Sequence, residues 1–388
     1  MNIIYIRELG EIMNIIYFDN NATTKIKTEV LNEMMPFLTT EFGNASSLYS
    51  IGRNSKRAIE NARKQVAELI NCNSNEIFFT AGGSESDNIA LKGFAYANKY
   101  KGNHIITSKI EHPAILETCQ VLEKQGFEIS YINVDQQGII KLEELKNEIK
   151  QTTILISVMT ANNEIGTIQP IKEISEIAHE HNIIFHTDAV QAIGNMQINV
   201  SEMGIDMLSL SGHKIHAPKG IGALYIKKGI DVEKIINGGH QEKDKRAGTE
   251  NVAGIVGLGK ACSIANKNFD THVKYLKKLR DYYIKRLQNE IPDKIRINGS
   301  MQKRLPGNAN VSFEGLNSSE LIFKLDEKGI CVSSGSACSS ANPKPSHVLQ
   351  AINIPEKYLN SAIRTTFGDN NTFEEIDYLV RELKKCIL

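Results

Sequence analysis

Apolar and polar positions along the chain predict a sheet whose strands alternate with helices. Apolar runs of strand length occur at residues 77–79, 104–106, 153–159, 183–185 and 208–210. Near-continuous runs such as 153–159 are typical of strands that are buried on both faces. Between residues 55 and 70 the apolar positions recur at helical spacing, which predicts an amphipathic helix. Because strands and helices alternate from about residue 75 to residue 226, we predict a mainly parallel α/β sheet flanked by helices.

The alternation of predicted strands and helices ends after residue 227. A polar, basic loop covers residues 238–251, and a long helical stretch follows it. A shorter β pattern at 309–313 and a helix at 319–328 then predict a smaller α+β domain. We expect four parts: an extra extension at 1–12, a segment at 13–25 that joins the small domain, a large domain at 26–264 and the small C-terminal domain at 265–388.

The first residues contain an internal repeat. The Met-Asn-Ile-Ile-Tyr sequence of residues 1–5 recurs at residues 13–17, where it leads directly into a polar cluster at 19–24. The repeat suggests that Met13 is the natural start and that residues 1–12 have no role in the fold. Mass analysis of the native protein that found Met1 retained would contradict this interpretation.

Polar residues follow strand after strand of the predicted sheet. In α/β sheets, ligands bind beyond the carboxyl ends of the strands. Any one of these residues has an ordinary structural explanation, such as a helix cap or a turn, but clusters at five strand ends indicate a site. The clusters are Gly83 with Ser84, His112, Asn163, Asp188 with Gln191, and Ser211 with His213 and Lys214.

Three of these clusters suggest particular chemistry. Lys214 follows an apolar strand on a loop rich in glycine and proline, where partial burial would lower its pKa, as Schiff-base chemistry requires. The alternative is a solvated loop lysine. Gly83 and Ser84 begin a helix and could present N–H groups to a phosphate, or Ser84 could simply cap that helix. Asp188, at the end of a buried strand, needs a partner, which could be a cationic ring nitrogen of a cofactor.

Two residues of the C-terminal part could take part in catalysis or substrate binding. Cys338 lies among small residues at 333–340, which indicates a thiol on an exposed loop that could act as a nucleophile, although an incidental loop cysteine would look the same. Arg364 could bind a carboxylate with both arms of its guanidinium group.

Composition narrows the classes of function. The 388 residues contain 45 basic and 45 acidic side chains, so no net charge favours nucleic acid or an anionic membrane. No apolar run approaches the roughly 18 residues that span a bilayer, and the N-terminus lacks an export signal. The six cysteines form no C-x-x-C pair, which argues against disulfides or a thiolate zinc site. We expect a cytoplasmic protein without a fixed metal site.

Several motifs in the chain match those of a known family, in the same order. They are the sequences at 19–24, 85–88, 111–113, 161–166, 186–191, 209–214, 246–251 and 333–340. The chain resembles the NifS- and IscS-like cysteine desulfurases, which are class V members of the pyridoxal-phosphate-dependent aminotransferases. This resemblance implies the type I fold of such enzymes, with a large seven-stranded sheet domain and a smaller α+β domain.

The resemblance also implies a role for each candidate residue. Lys214 would be the Schiff-base lysine and proton shuttle, and Asp188 the partner of the pyridine nitrogen. His112 would be catalytic as well, because it would stack on the ring and help with proton transfers. Cys338 would attack the sulfur of L-cysteine, leaving a persulfide on itself and releasing alanine. The remaining ligands would be Asn163 and Gln191 for the ring oxygen, Gly83, Ser84, Ser211 and His213 for the phosphate, Thr249 for the phosphate of the other subunit, and Arg364 with Asn163 for the substrate.

The implied partners follow from these roles. The enzyme would be a homodimer, and it would pass sulfur to a NifU- or IscU-like scaffold protein, or another acceptor, for iron–sulfur cluster assembly. Cys338 would contact a nascent cluster only transiently. The alternatives are a selenocysteine lyase, a class V aminotransferase, and a non-catalytic sulfur carrier. The chain departs from the family's pattern at 238–244, at Ala217 and at 368–371, and none of these departures removes a catalytic group.

Overall fold

The computed structural model describes residues 3–6, 12–334 and 345–387. The described chain begins with a hairpin of two strands, β1 (Ile3–Ile6) and β2 (Ile12–Tyr17), in which Ile3 lies opposite Ile15. Part of the N-terminal extension therefore pairs with the strand that precedes the polar cluster, contrary to the expectation that residues 1–12 have no role in the fold.

A seven-stranded sheet forms the centre of the molecule. Its strands run in the order β3-β9-β8-β7-β6-β4-β5, and β9 alone is antiparallel to its neighbours. This arrangement confirms the predicted α/β fold with a mainly parallel sheet. The strands are β3 (Ile77–Thr80), β4 (His104–Ser108), β5 (Glu128–Ile132), β6 (Thr153–Ser157), β7 (Ile184–Asp188), β8 (Met207–Ser211) and β9 (Gly222–Ile226).

Helices cover both faces of this sheet. The amphipathic helix predicted over 55–70 begins earlier, at Ser50, and ends where Asn71 takes a left-handed conformation with φ of 56°. The helix that follows residue 112 has Pro113 in its first turn, where the missing N–H costs nothing. The helices are α1 (Thr28–Thr39), α2 (Ser50–Ile70), α3 (Gly83–Asn88), α4 (Phe94–Asn98), α5 (Pro113–Lys124), α6 (Leu142–Asn147) and α7 (Ile171–Glu180), with a π-helical turn (Ile89–Gly93) between α3 and α4.

One long helix belongs to two hydrophobic cores. Helix α8 (Val252–Glu290) is continuous over 39 residues and passes through the predicted domain boundary at 264/265. Its first part, including Ile255 and Leu258, packs in the core of the large sheet. Its last part, including Leu279 and Tyr283, packs in a second core with Phe18 of the N-terminal segment. The four-part division of the chain stays a prediction.

The C-terminal part is a small antiparallel sheet with helices on it. Strands β10 (Ile295–Ile297), β11 (Asn308–Phe313) and β13 (Ala362–Thr366) form this sheet, and β12 (Ile330–Cys331) pairs with β2. The last helix has a capping box, in which the side chains of Thr372 and Glu375 each accept a hydrogen bond from the other's backbone N–H. The helices are α9 (Ser318–Asp326), α10 (His347–Ala351), α11 (Glu356–Leu359) and α12 (Phe373–Ile387). Within the described residues, no helix is both long and apolar enough to cross a membrane.

Candidate active site

A cavity of about 420 Å³ opens at the carboxyl ends of the central strands. Ten of the predicted site residues line it: Gly83, Ser84, His112, Asn163, Asp188, Gln191, Ser211, His213, Lys214 and Arg364. Thr249 instead lines a separate cleft beside Arg246 and Glu250. Cys338 lies outside the described residues. The structure therefore brings the predicted strand-end residues together in one place.

Lys214 is one of the residues that line the cavity. It ends a 3₁₀ turn (Gly212–Lys214) directly after β8. Its Nζ donates hydrogen bonds to the backbone carbonyls of Asn21 and Ala22, at 2.9 Å for Ala22. Burial and the nearby Arg364 cation lower the pKa of Lys214 to about 8, against the opposing effect of Asp19 and Asp188. Because this pKa is close to neutrality, the amine exchanges readily between its two protonation states.

This pKa predicts how fast Lys214 reacts with an aldehyde. Only the neutral amine is nucleophilic, so the rate at which Lys214 reacts with an aldehyde such as pyridoxal phosphate should rise about tenfold per pH unit and level off near pH 8. Stopped-flow absorbance of this reaction between pH 6 and pH 10.5 measures the rate. A rate that still climbed above pH 10 would show an ordinary lysine, and Lys214→Ala should lack the phase altogether.

Asp188 is the last residue of β7 and is 6% exposed. Its Oδ1 accepts a hydrogen bond from the backbone N–H of Val190 at 2.9 Å. Burial raises the pKa of this carboxyl group, whereas His112 and Lys214 act to lower it. A buried carboxylate facing a cavity is stabilised by a cationic partner, and a protonated ring nitrogen has the required charge.

His112 caps helix α5. Its Nδ1 accepts a hydrogen bond from the N–H of Ala114 at 3.1 Å, so the neutral ring carries its proton on Nε2. Burial lowers the pKa of His112, and the Lys214 and His347 charges lower it further, while Asp188 raises it. The ring is therefore held in one tautomer and one orientation at the cavity wall.

The opposite end of the cavity is suited to an anion. Helix α3 begins at Gly83, and the first turn of a helix leaves its N–H groups without intrahelical acceptors. A Cβ atom at Gly83 would lie 2.6 Å from Val190 Cγ2, so any other residue there would have to displace the Val190 side chain. His213 contacts Thr23 Oγ1 through Nδ1 at 3.2 Å, and burial, with Lys214 and Lys219, lowers its pKa to about 4. The imidazole is therefore neutral at pH 7.

Arg364 projects from β13 and is 3% exposed. Its Nη2 donates to Asp19 Oδ1 at 2.7 Å, and its Nη1 donates to the backbone carbonyl of Asn163 at 3.2 Å. Its buried Nε has no hydrogen-bond partner among the described residues. A cation that lines the cavity with donors left over can bind a carboxylate.

The cavity residues fit pyridoxal 5′-phosphate. A buried lysine of lowered pKa suits its aldehyde, the Asp188 carboxylate suits its ring nitrogen, and the start of α3 suits its phosphate. Gln191 and Asn163 line the same cavity with amide groups. The fit therefore depends on residues from four separate strand ends.

Sequence reasoning missed three acidic or basic residues of the cavity wall. Asp87 is 1% exposed, and its Oδ1 has no hydrogen-bond partner among the described residues, with His186 Nε2 at 3.8 Å. Burial and Asp188 raise the pKa of Asp87 well above the usual range. Glu164 accepts a hydrogen bond from Ser346 at 2.6 Å, and burial raises its pKa. His347 donates a hydrogen bond from its Nε2–H to the backbone carbonyl of Glu111 at 3.0 Å. Asp87 and Glu164 lie inside the matched motifs at 85–88 and 161–166, so the motifs themselves could have indicated these two residues.

The sequence matches the model of the class-V aminotransferase family over residues 16–379. The chain belongs to that family. It is 53% identical over 374 residues to the cysteine desulfurase IscS of Clostridium botulinum strain Hall, covering 96% of this chain and 94% of the relative. It is 51% identical over 372 residues to the cysteine desulfurase IscS of Methanosarcina thermophila, covering 96% and 92%. The expected kinship with NifS- and IscS-like proteins is confirmed.

Solved structures agree with this assignment. A NifS-like protein from Rickettsia africae superposes with a TM-score of 0.87 at 32% identity, covering 96% of this chain and 99% of that chain. The cysteine desulfurase of Thermococcus onnurineus, in its apo form, superposes with a TM-score of 0.85 at 27% identity, covering 96% and 94%. The predicted fold of NifS-like enzymes is therefore confirmed over nearly the whole chain.

Proposed function

We propose that the protein is a cysteine desulfurase that uses pyridoxal 5′-phosphate and L-cysteine and forms L-alanine and a persulfide on Cys338. The observation that carries this proposal is the convergence of Lys214, Asp188 and Arg364 on one cavity. These residues supply an amine, a carboxylate and a carboxylate-binding cation. Full-length similarity to proteins named cysteine desulfurase supports the same conclusion.

Different cavity residues would bind different parts of the cofactor and the substrate. Gly83, Ser84, Ser211 and His213 would hold the phosphate, Asp188 the ring nitrogen, and His112, Asn163 and Gln191 the ring and its oxygen. The bound cofactor supplies an electron sink for the negative charge that develops at the substrate α carbon. Arg364 holds the substrate carboxylate and so presents the α carbon to Lys214.

Lys214 moves the proton of the α carbon. With a pKa of about 8, its amine accepts a proton and returns it at similar cost near neutral pH. The carbonyls of Asn21 and Ala22 accept hydrogen bonds from the ammonium form, so they hold Nζ in place when it carries the proton. His112, neutral and with its proton on Nε2, is a second donor at the cavity wall.

Cys338 takes the sulfur. Its thiolate attacks the substrate sulfur, a new S–S bond forms and the Cβ–S bond breaks. The electron pair of the broken bond stays with the β carbon, which takes up a proton and becomes the methyl group of alanine. The product on the enzyme is a Cys338 persulfide. We propose that this sulfur passes to a scaffold protein for iron–sulfur cluster assembly, or to another acceptor, in the cytoplasm.

We further propose that two copies of the chain form a dimer. Helix α1 and the loop after it expose a row of large apolar side chains, and an exposed row of this kind favours a protein interface. Thr249 does not line the cavity of its own chain, so it is free to reach the cavity of a second copy. The exposed residues are Leu31, Met35, Leu38, Phe42, Leu48 and Tyr49. Sedimentation of wild type and of Met35→Asp should show a dimer and a monomer, respectively.

The decisive experiment follows the fate of the sulfur. The protein loaded with pyridoxal phosphate is mixed with L-cysteine, and alanine is quantified while Cys338 is examined by mass spectrometry. We expect equal amounts of alanine and sulfur, with the persulfide on Cys338. Amino-group transfer to a keto acid would favour an aminotransferase, and faster turnover of L-selenocysteine would favour a selenocysteine lyase. An absorbance spectrum that does not change when cofactor is added would favour a non-catalytic sulfur carrier.

Replacing Arg364 by lysine tests how the substrate is held. Lysine keeps the charge but cannot bind a carboxylate with two parallel N–H donors. Losing one charge-assisted hydrogen bond costs about 1.5–3 kcal/mol, so KM for L-cysteine should rise roughly 10- to 150-fold. Steady-state kinetics measures KM and kcat, with Arg57→Lys on the exposed surface of α2 as a matched control. An unchanged KM would remove Arg364 from the binding site.

A further inference from the structure

One short segment faces both cations of the cavity. The carboxylate of Asp19 accepts a hydrogen bond from Arg364, and the carbonyls of Asn21 and Ala22 accept hydrogen bonds from Lys214. These residues directly follow β2 and Phe18, whereas Arg364 lies on β13 and Lys214 follows β8. Residues 19–22 therefore supply acceptors to two basic side chains that come from different sheets.

The backbone fixes Asp19 relative to Arg364. Thr366, two residues beyond Arg364 on β13, donates its N–H to the carbonyl of Phe18 at 2.7 Å and forms an isolated β-bridge with Asp19. Its hydroxyl accepts from the N–H of Asn21 at 3.0 Å. These bonds tie the backbone of Asp19 to the same strand that carries Arg364, so the two side chains start from fixed neighbouring positions.

Asp19 supplies both orientation and charge to the guanidinium group. The Arg364 and Asp19 side chains are 3% and 16% exposed, so their 2.7 Å ion pair is mostly shielded from water. Asp19 is the carboxylate that hydrogen-bonds Arg364 within the described part of the chain. A buried cation that loses its counter-charge is destabilised and tends to reorient. The position of Arg364 at the cavity therefore depends on Asp19.

Asp19 also affects Lys214. Burial and Arg364 oppose the ammonium form of Lys214, and Asp19 and Asp188 favour it. His112 and His213 also lie within electrostatic reach of Lys214. Removing the Asp19 charge would take away one favourable interaction and leave the Arg364 cation uncompensated. Both changes act in the same direction and favour the neutral amine.

We propose that Asp19 is a positioning residue that orients Arg364 for the substrate carboxylate and offsets the Arg364 charge beside Lys214. The first half rests on the proposed function, because it takes the ligand of Arg364 to be the carboxylate of an amino acid. The second half concerns the cofactor-free protein and has its own measurement. Asp19 touches neither substrate nor cofactor in this role and acts through its two basic neighbours.

The test is Asp19→Asn, which keeps the shape and removes the charge. KM for L-cysteine should rise about tenfold or more while kcat stays within about threefold, because a charge-assisted hydrogen bond to the binding residue is lost. The pH midpoint of pyridoxal phosphate association should move below its value of about 8 in the wild type. Asp231→Asn is the matched control, since Asp231 is 79% exposed and pairs only loosely with Lys245 at 3.4 Å.

A double mutant shows whether Asp19 affects KM through the orientation of Arg364 or through a general effect on the enzyme. If Asp19 acts on substrate through Arg364, Asp19→Asn should raise KM little further in an Arg364→Gln background. Equal effects in both backgrounds, or a lower KM, would overturn the first half of the proposal. An unchanged pH midpoint would overturn the second half. If the protein does not turn over cysteine at all, the proposed function fails, yet the pH midpoint still decides the effect on Lys214.

A second variant tests the proposal if Asp19→Asn folds poorly, which thermal melting would reveal. Asp19→Glu keeps the charge but displaces it by one methylene group. We expect this variant to raise KM while the pH midpoint stays near 8. An unchanged KM in Asp19→Glu would contradict the orienting role, whatever happens to the asparagine variant.

Discussion

Replacing Lys214 by alanine should lower cysteine turnover by about 10⁴-fold, because both the amine that receives the cofactor and the base at the α carbon are lost. The structure gives the reason. Lys214 is the lysine that lines the cavity, and its pKa of about 8 makes it the cavity amine that is partly neutral at pH 7. Turnover is measured as alanine formed, and cofactor binding as absorbance.

The neighbouring lysine provides a matched control. Lys219 lies five residues further on an exposed loop, so Lys219→Ala should retain wild-type turnover and absorbance. Thermal melting of Lys214→Ala should remain cooperative, because the carbonyls of Asn21 and Ala22 lose only one donor atom. Addition of a small primary amine should restore part of the activity if the lost group is the base. More than a tenth of wild-type turnover in Lys214→Ala would contradict its assigned role.

Replacing Glu242 by leucine should destabilise the fold by about 3–5 kcal/mol, because it removes the buried carboxylate that pairs with the Arg63 cation. The half-exposed Glu60 carboxylate, at 3.2 Å from Arg63 Nε, is then the acidic group that remains beside this cation. The Arg63 guanidinium binds both carboxylate oxygens of Glu242, at 2.7 and 2.9 Å. Glu242 also accepts from the N–H of Phe79 at 2.8 Å, and both side chains of the ion pair are 5% exposed. The free energy of unfolding in urea, measured on the cofactor-free protein, tests the expectation.

A double variant distinguishes an unpaired charge from lost packing. Arg63→Met combined with Glu242→Leu should recover most of the loss, because apolar residues of similar size replace a buried ion pair at little cost. The exposed pair Lys146–Glu143 is the control, and breaking it should change stability by less than about 0.5 kcal/mol. A loss below 1 kcal/mol in Glu242→Leu would show that the ion pair is solvated.

This ion pair also anchors a segment that contains departures from the family's pattern. Residues 238–244 differ from the glycine-rich sequence of the family, and Glu242, Lys243 and Asp244 all have positive φ. Conformations of this kind are unfavourable for side chains other than glycine. The Glu242 anchor to Arg63 compensates for that cost, so the segment keeps its place against β3.

The sequence predicted the central sheet because its strands are buried on both faces and so form uninterrupted apolar runs. It predicted the amphipathic helix at 55–70 because apolar residues there recur at helical spacing, which is a local signal. It did not predict β12, which has only two residues, or the pairing of β1 with β2. Strands of that kind are defined by partners distant in sequence, and the apolar pattern of a short segment cannot identify those partners.

The candidate site was predictable to the extent that it consists of strand ends. Parallel strands bring their carboxyl ends to one edge, so residues such as Asp188 and Lys214 could be expected to meet. The contacts of residues 19–22 with Arg364 and Lys214 could not, because they join the N-terminal segment to two different sheets. Thr249 stays a prediction that needs the second copy, and Cys338 lies outside the described residues.

Helix α8 has a mechanical consequence for entry to the cavity. A continuous helix of 39 residues is about 58 Å long, and its two halves are embedded in different cores. A rod anchored at both ends resists a hinge, because bending it would break consecutive backbone hydrogen bonds. We therefore expect the two halves of the molecule to keep a fixed relative orientation. Entry of substrate and exit of sulfur would then depend on local loop motion and not on rotation of one domain against the other.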